Sequence, residues 1–335
     1  MILVTGGTGL VGSHLLFELV SNTKKVKAIY RSEKSLNSVK KIFSYFTDDV
    51  GKFFDNIEWV QADVTDVPSL VNAFKDVTIV YHAAALVSFD DKEYRKMRQV
   101  NIEGTANVVN LCISSQVKKL CFVSSIAAIG DSINNEIVTE ENEWSVQNDN
   151  NGYSITKHGA EMEIWRASQE GVDVVIVNPG VILGAGFWNK NTGQFFTKVA
   201  KGFNYFTTGV TGFVGVKDVV KSMILLTESK IKNERYILVS ENKSFQEIFT
   251  KIADALHREP PSIKVPKVII SMLSGMDACF SLIRNKPRML TKNSAKSLYN
   301  KTHYSSEKIK KEMHLRFSLI DDVIEETGMY YNKDH

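Results

Sequence analysis

Cysteine is scarce in this chain: three in 335 residues, at positions 112, 121 and 279. None stands at a metal-ligating or redox spacing, which excludes a disulfide framework or a zinc module and leads us to expect a reducing compartment, the cytoplasm. Proline is also sparse, with six residues, and no Pro- or Ser-rich linker or internal repeat divides the chain. No sign of charge dominates: 41 Lys and Arg oppose 38 Asp and Glu, mixed along the sequence, for a net +3. That is not the footprint of a nucleic-acid binder. The basic run from Glu307 to Glu312 is expected to be a solvated helix face. Long apolar runs are missing too. The longest, Val268 to Ile283, is interrupted by Ser271, Ser274, Gly275, Asp277 and Ser281 and is shorter than a membrane span. It is expected to be a packed helix. A strand beginning at residue 2 leaves no room for a signal peptide.

What the chain has is a strand and a glycine turn at its start. Ile2, Leu3 and Val4 read as a buried parallel strand. Glycines at 6, 7, 9 and 12 follow, and apolar residues at helical spacing (Val11, Leu15, Leu16, Leu19) begin a helix where they end. The glycines fit two registers. Gly7, Gly9 and Gly12 match G-x-G-x-x-G, while Thr5, Gly6, Gly9 and Gly12 match T-G-x-x-G-x-x-G. Either places backbone N–H groups and a helix N-terminus against a dinucleotide pyrophosphate. The second strand, Val26 to Tyr30, ends in Arg31 rather than an acid. An arginine there accommodates a 2′-phosphate, so NADP(H) is expected over NAD(H).

Tyr153 and Lys157 lie one helical turn apart and share a face. Ahead of them a strand ends in Ser124 and Ser125; after them a buried strand ends at Asn178, Pro179 and Gly180. Parallel-strand ends of this kind converge on one crevice. A phenol beside an ammonium serves as a general acid or base. A serine hydroxyl steadies charge on the same substrate oxygen. Ser125 is the favoured serine, with Ser124 the alternative.

Alternating elements predict a doubly wound parallel sheet. Strands are expected near 1–5, 25–30, 57–62, 77–82, 118–124 and 172–178, and helices near 11–21, 33–46, 67–75, 91–115 and 154–170. A further strand at 235–240 returns to the sheet. The expected division is a Rossmann-type domain at 1–178 and 213–240, with a smaller substrate-binding lobe at 179–212 and 241–335. The polar stretch 131–152 is expected to be a rim over the site. Phe187, Trp188, Phe195, Phe196, Phe203, Tyr205, Phe206 and Phe213 give either an apolar pocket wall or packing between the lobes. Val87 and Phe89, just after the strand expected near 77–82, are candidates to face substrate, with Phe187 and Trp188.

Over nearly its whole length the chain resembles the extended short-chain dehydrogenases/reductases, the NAD-dependent epimerase/dehydratase superfamily. The resemblance runs through Thr5 to Gly12, Asp63 to Asp66, His82 to Ala85, Asn101, Ser125, Tyr153, Lys157 and Asn178 to Gly180. Arg31, the run Gly212 to Val219 and the tail Tyr304 to Ile309 are most similar to the dihydroflavonol-reductase/3β-hydroxysteroid-dehydrogenase-like branch. Many relatives carry His or Asp where this chain has Val216 and Lys217. The resemblance implies that Thr5, Gly6, Thr8, Gly9, Leu10, Val11 and Gly12 bind the cofactor. It implies that Asp63 and Val64 flank the adenine, that Ala83, Ala84 and Ala85 line the cofactor, and that Pro179 and Val181 lie near the carboxamide. Lys157 tunes Tyr153 and binds the nicotinamide ribose, and Asn101 supports the active site from a helix. It further implies a homodimer through the helices near 91–115 and 154–170. The expected activity is reduction of a bulky, partly apolar ketone or aldehyde, or oxidation of the matching alcohol. A nucleotide-sugar epimerase or dehydratase and a non-catalytic NADP-binding regulatory protein are the alternatives. No metal is expected.

Overall fold

The computed structural model describes residues 1–88, 90–132, 136–146, 150–269 and 298–335. Phe89, Cys279 and the apolar stretch from 270 onward lie outside the described residues. The chain begins as strand–helix repeats. β1 (Ile2–Thr5) leads to α1 (Leu10–Ser21), and β2 (Val26–Tyr30) to α2 (Glu33–Phe43) and the short α3 (Val50–Phe54). β3 (Ile57–Gln61) is followed by α4 (Val67–Ala73), then β4 (Ile79–His82). The helix expected over 91–115 is broken into α5 (Tyr94–Met97), a π-helical turn (Arg98–Glu103) and α6 (Gly104–Ser114). β5 (Lys119–Val123), α7 (Gly152–Gln169) and β6 (Asp173–Pro179) complete the first pass. After β7 (Val181–Leu183), α8 (Gly193–Ala200), β8 (Tyr205–Phe206) and β9 (Val210–Gly215), the chain returns through α9 (Val216–Glu228) to β10 (Glu234–Leu238). β11 (Glu241–Ser244), α10 (Phe245–Ala255) and β12 (Ile263–Lys264) follow, and helices Glu307–Met313 and Ile320–Asp334 lie beyond them.

Seven parallel strands form the main sheet in the order β10-β6-β5-β4-β1-β2-β3. Its sequence logic is period two with both faces covered. Val4, Val175 and Val177 face the layer of α1 and α9, packing with Leu15, Leu16, Val219 and Met223. Their neighbours Leu3, Val174 and Ile176 face the layer of α6 and α7, packing with Val108, Cys112, Ala160 and Ile164. Strand order reverses at β1, between β4 and β2, so the crevice of a doubly wound sheet opens above the carboxyl ends of β1 and β4.

β7, β9 and β11 form a second, three-stranded sheet. Around it Leu183, Trp188, Phe196, Phe213, Ile248, Ile252, Ile320 and Ile324 make a separate core, which Ile42 and Tyr45 join from the end of α2. One segment departs from the expected division. Ile309 and Leu315, assigned from sequence to the smaller lobe, are buried with Tyr236 and Leu238 against the main sheet.

The 131–152 stretch also behaves differently from a free rim over its described middle. Val138 N donates to His303 O at 2.8 Å and Ser305 N to Val138 O at 2.9 Å. Glu140 accepts a 2.8 Å bond from Ile237 N, and Arg235 Nε donates to Glu140 O at 3.0 Å. The Glu140 carboxylate and the carbonyls of Glu140 and Asn142 therefore tie this segment to β10, the edge strand.

The tightest constraint is in the first turn. A Cβ on Gly12 would lie 2.2 Å from Gly6 O, and one on Gly6 (φ +70°) 2.5 Å from Ala83 C. Gly12→Ala therefore should displace the turn: we expect a loss of about 2 kcal/mol or more in urea unfolding.

Candidate active site

Backbone contact with backbone builds the first wall of the site. Gly6 carries the left-handed φ and Gly12 presses on its carbonyl, so the register Thr5, Gly6, Gly9, Gly12 is the one in which each outer glycine is sterically required. Gly7 instead abuts the Leu16 side chain. Gly9 N donates to Gly6 O at 3.0 Å and Ser13 N to Gly9 O at 2.9 Å, which turns the chain directly into α1. No side chain caps α1 and no acid stands in its first turn, so the N–H groups near Leu10 and Val11 and the helix dipole are directed at an anion. A cradle that one added methyl would fill fits a dinucleotide pyrophosphate.

Ala83 N donates to Thr5 O at 3.1 Å, extending β4 past the turn. Ala84 is partly buried and Ala85 exposed. Arg31 follows β2 with 70% of its side chain exposed, its Nη1 3.9 Å from Asp63 Oδ2. The other Asp63 oxygen accepts from Thr65 N and Oγ1 at 2.9 and 2.8 Å. Val64 is buried beneath Gly104, and its carbonyl accepts from Asn107 at 3.0 Å. Thus Arg31, Asp63 and Val64 share the carboxyl ends of β2 and β3. Pro179 ends β6 paired with Leu238, and Val181 begins β7.

Asn151 opens α7 by accepting from Ser154 N at 2.8 Å. This puts Tyr153 in the first turn and Lys157 one turn on. The Tyr153 phenol is hydrogen-bonded with the Ser125 hydroxyl, and burial holds it above the ordinary tyrosine range although that bond pulls it down. The neutral phenol is therefore the resting form at pH 7. Lys157 is 2% exposed. Its Nζ donates to Val123 O at 2.8 Å and sits 4.3 Å from the centre of the Phe122 ring. Burial lowers it from 10.5 to about 7, against the pull of Glu161. Ser124 lies behind, buried, its hydroxyl toward Glu161. The two serines thus face opposite ways, as successive residues in extended chain do, and Ser125 is the one on the side of Tyr153.

Asn101 sits in the π-helical turn, a distortion that often marks functional helices. Its amide spans two elements: Leu86 N to Oδ1 at 2.7 Å, Nδ2 to Leu86 O at 2.9 Å, and Nδ2 to Thr156 Oγ1 at 3.1 Å. It braces the segment after β4 against α7. Val87, next in that segment, is 41% exposed. Trp188 is not brought to Tyr153. It is buried against Phe196 and Tyr331, and its indole donates to Asp334 at 2.8 Å. Phe187, at φ +56°, packs into the same core. Phe196 and Phe213 are also buried there, so these aromatics join the elements of the second core rather than wall a pocket.

Glu161 and Arg235 escaped the sequence reading of the site, and His82 and Asn178 entered it only as parts of motifs. His82 is fully buried between Thr5 Oγ1 (2.6 Å) and Thr105 Oγ1 (2.9 Å), stacked on Phe122. Glu161 is fully buried one turn beyond Lys157. Asn178 bonds Glu161 at 2.5 Å and the Ser125 carbonyl at 3.0 Å. Arg235 comes within 3.6 Å of Glu161. A four-residue spacing from Lys157 was the available signal for Glu161; Arg235 had none.

With this geometry in place, the comparisons decide the family. Residues 4–202 match the family model described as male sterility protein, an NAD-binding family. The chain belongs to that family. It lies within the extended short-chain dehydrogenase/reductase superfamily and is a nicotinamide-dependent oxidoreductase. Relatives include sterol demethylase protein B of Methylococcus capsulatus, 28% identical over 268 residues, covering 79% of this chain and 77% of that protein. A putative dihydroflavonol 4-reductase of Synechocystis is 27% identical over 272 residues, covering 78% and 74%. In fold, the structure of gox2253 superposes with a TM-score of 0.81 at 23% identity, covering 100% and 98%. The UDP-glucose 4-epimerase of Thermotoga maritima does so at 0.77 and 18%, covering 99% of each chain. Among the described residues no cluster could hold a metal, and no helix is long and apolar enough to cross a membrane.

The buried histidines give the fold a pH signature. Burial lowers His82 to about 3 and His14 to about 4. The unfolded chain binds protons at these groups below pH 6.5 and the folded chain does not, so stability falls as pH drops through that window. Urea unfolding should show a loss of about 1 kcal/mol per histidine between pH 7 and 5.5. Substituting His14 with Gln should remove its share of the slope.

Proposed function

We propose that this oxidoreductase reduces a bulky, partly apolar ketone or aldehyde with NADP(H), or oxidises the matching alcohol, with Tyr153 as the general acid or base. One observation carries the reading: a buried, protonated phenol is hydrogen-bonded to Ser125 one helical turn from a buried lysine. With a nicotinamide cofactor bound beside Tyr153 and Lys157, hydride would be exchanged with the carbonyl carbon. Tyr153 gives its proton to the carbonyl oxygen and is reprotonated from solvent. Ser125 donates a hydrogen bond to that oxygen as charge gathers on it. Lys157, when charged, steadies the phenolate left behind and binds the nicotinamide ribose.

The glycine turn Thr5 to Gly12, including Thr8, holds the pyrophosphate. Asp63 and Val64 would flank the adenine, Ala83 to Ala85 would line the cofactor with backbone, and Pro179 and Val181 would lie near the carboxamide. Asn101 supports the site by bracing Leu86 against α7. Preference for NADP(H) follows from Arg31, an exposed guanidinium at the end of β2 with its carboxylate neighbour 3.9 Å off. The bulky-substrate reading gains support from relatives named as reductases of dihydroflavonol, tetraketide α-pyrone and cinnamoyl-CoA. Pairing of two copies through α6 and α7 belongs to the same reading; the outer side of α7 exposes Ile155 and Met162.

Two measurements test this. Tyr153→Phe should slow NADPH oxidation, followed at 340 nm with a panel of aryl and alkyl carbonyls, by about 10²–10⁴-fold while leaving NADPH affinity intact. Full activity in that variant would refute the acid–base role. Arg31→Ala should weaken NADPH binding by about tenfold or more and leave NADH nearly unchanged, because it removes a charge-assisted contact that only the 2′-phosphate makes.

A further inference from the structure

Behind Tyr153 and Lys157, away from the crevice, lies a buried charged cluster that the proposed chemistry does not use. Glu161 is on the same face of α7 as Lys157, one turn further into the molecule, and both are within 2% of complete burial. Asn178 Nδ2 donates at 2.5 Å to Glu161 Oε1 and at 3.0 Å to Ser125 O. Ser124 turns its hydroxyl to the same carboxylate. Arg235, from the edge strand β10, brings Nη1 to 3.6 Å from Oε2 while its other nitrogens bond the carbonyls of Glu140 and Asn142.

A carboxylate without water is costly unless it is paired and hydrogen-bonded. Here Arg235 stands 3.6 Å off, Lys157 lies one helical turn away, and the Asn178 amide also grips the serine-bearing strand, while burial holds the carboxyl above the usual carboxylate range. The charged and titratable groups around the pair are few. Tyr153 flanks Lys157 on α7. His82 faces it from β4 across the Phe122 ring and is neutral. Arg235 faces Glu161 from β10, with His158 of α7 and Glu140 near the guanidinium. Glu161 is the carboxylate that acts on Lys157.

We propose that Glu161 is a positioning residue of this active site: its carboxyl, buried one helical turn from Lys157, sets the surroundings of that amine, and through Asn178 it fixes the strand end carrying Ser125. The proposal rests on the reading of Ser125, Tyr153 and Lys157 as the acid–base set. Arg235 has a separate part. It balances the carboxylate and ties the 136–146 segment to the same cluster, so the charge state of Lys157 and the seating of that segment share one anchor.

The test reads Lys157 directly. The full chain is labelled with [ε-¹³C]lysine, the Lys157 resonance is assigned by its disappearance in Lys157→Ala, and its shift is followed from pH 5.5 to 9. In the wild type the transition is expected near 7. In Glu161→Gln, which keeps the shape and the acceptor for Asn178, it should move down by about one pH unit, the effect of losing an opposite charge. An unmoved transition in a variant with a wild-type melting profile overturns the proposal. Should the Gln variant fail to fold, the wild-type titration decides: a Lys157 that is neutral throughout the range overturns it. NADPH oxidation by the same variants separates the two claims. With Glu161 acting through Lys157, Glu161→Gln lowers kcat with KM little changed and shifts the pH profile, and Glu161→Asp restores most of both. Absence of any wild-type turnover on the carbonyl panel defeats the functional reading and leaves the titration of Lys157 to answer for Glu161.

Discussion

An amino group buried at the carboxyl edge of the sheet is the constraint around which this molecule is arranged. Removing an ammonium from water costs several kcal/mol even after relaxation, so Lys157 reaches its place only because other groups meet it there. Val123 supplies a carbonyl, Phe122 the face of its ring, and Glu161 an opposite charge. The Phe122 ring is shared: His82 stacks on it and is held between two threonine hydroxyls. β4, β5 and α7 are thereby joined through a polar layer inside an otherwise aliphatic sheet. The acid–base groups inherit their geometry from that layer, since Tyr153 stands one turn from Lys157 and Ser125 two residues past Val123.

The second constraint is contact between backbones. Gly6, Gly12 and the chain after β4 approach so closely that no side chain fits between them. That approach determines how near a pyrophosphate comes to the N–H groups of α1. It also sets how far the segment 83–88 extends over the crevice before Asn101 catches it at Leu86. The π-helical turn holding Asn101 follows from the same demand. An extra residue in the turn re-aims one amide toward two elements at the cost of regular helix geometry.

Much of this was legible in the chain. Short β-branched runs with period-two burial marked the parallel strands, and the observed bounds fall within two or three residues of expectation. Tyr153, Lys157 and Ser125 could be read together because of their spacing and their place at strand and helix ends. Other features were not. The aromatics from Phe187 to Phe213 suit a pocket wall and a core equally well by composition; the contacts of Trp188 with Asp334 and Tyr331, nearly 150 residues away, assign it to the core. Polarity in the 131–152 segment looked like solvent exposure, yet Glu140 and Asn142 bond the edge strand. The tail around Ile309 returned to the large sheet although its position in sequence suggested the smaller lobe.

By itself, the sequence determined what is local and periodic: the glycine turn, the doubly wound order of strands and helices, the phenol and amine one turn apart, and the arginine at the end of β2. Those depend on φ/ψ limits, side-chain alternation and the pitch of a helix, all properties of neighbouring residues. Tertiary structure alone decided which serine faces the phenol, what surrounds the buried lysine and where the aromatics go. These outcomes depend on burial and on partners such as Arg235 and Asn178 that packing brings from distant strands, and desolvation acts only once the water has been excluded.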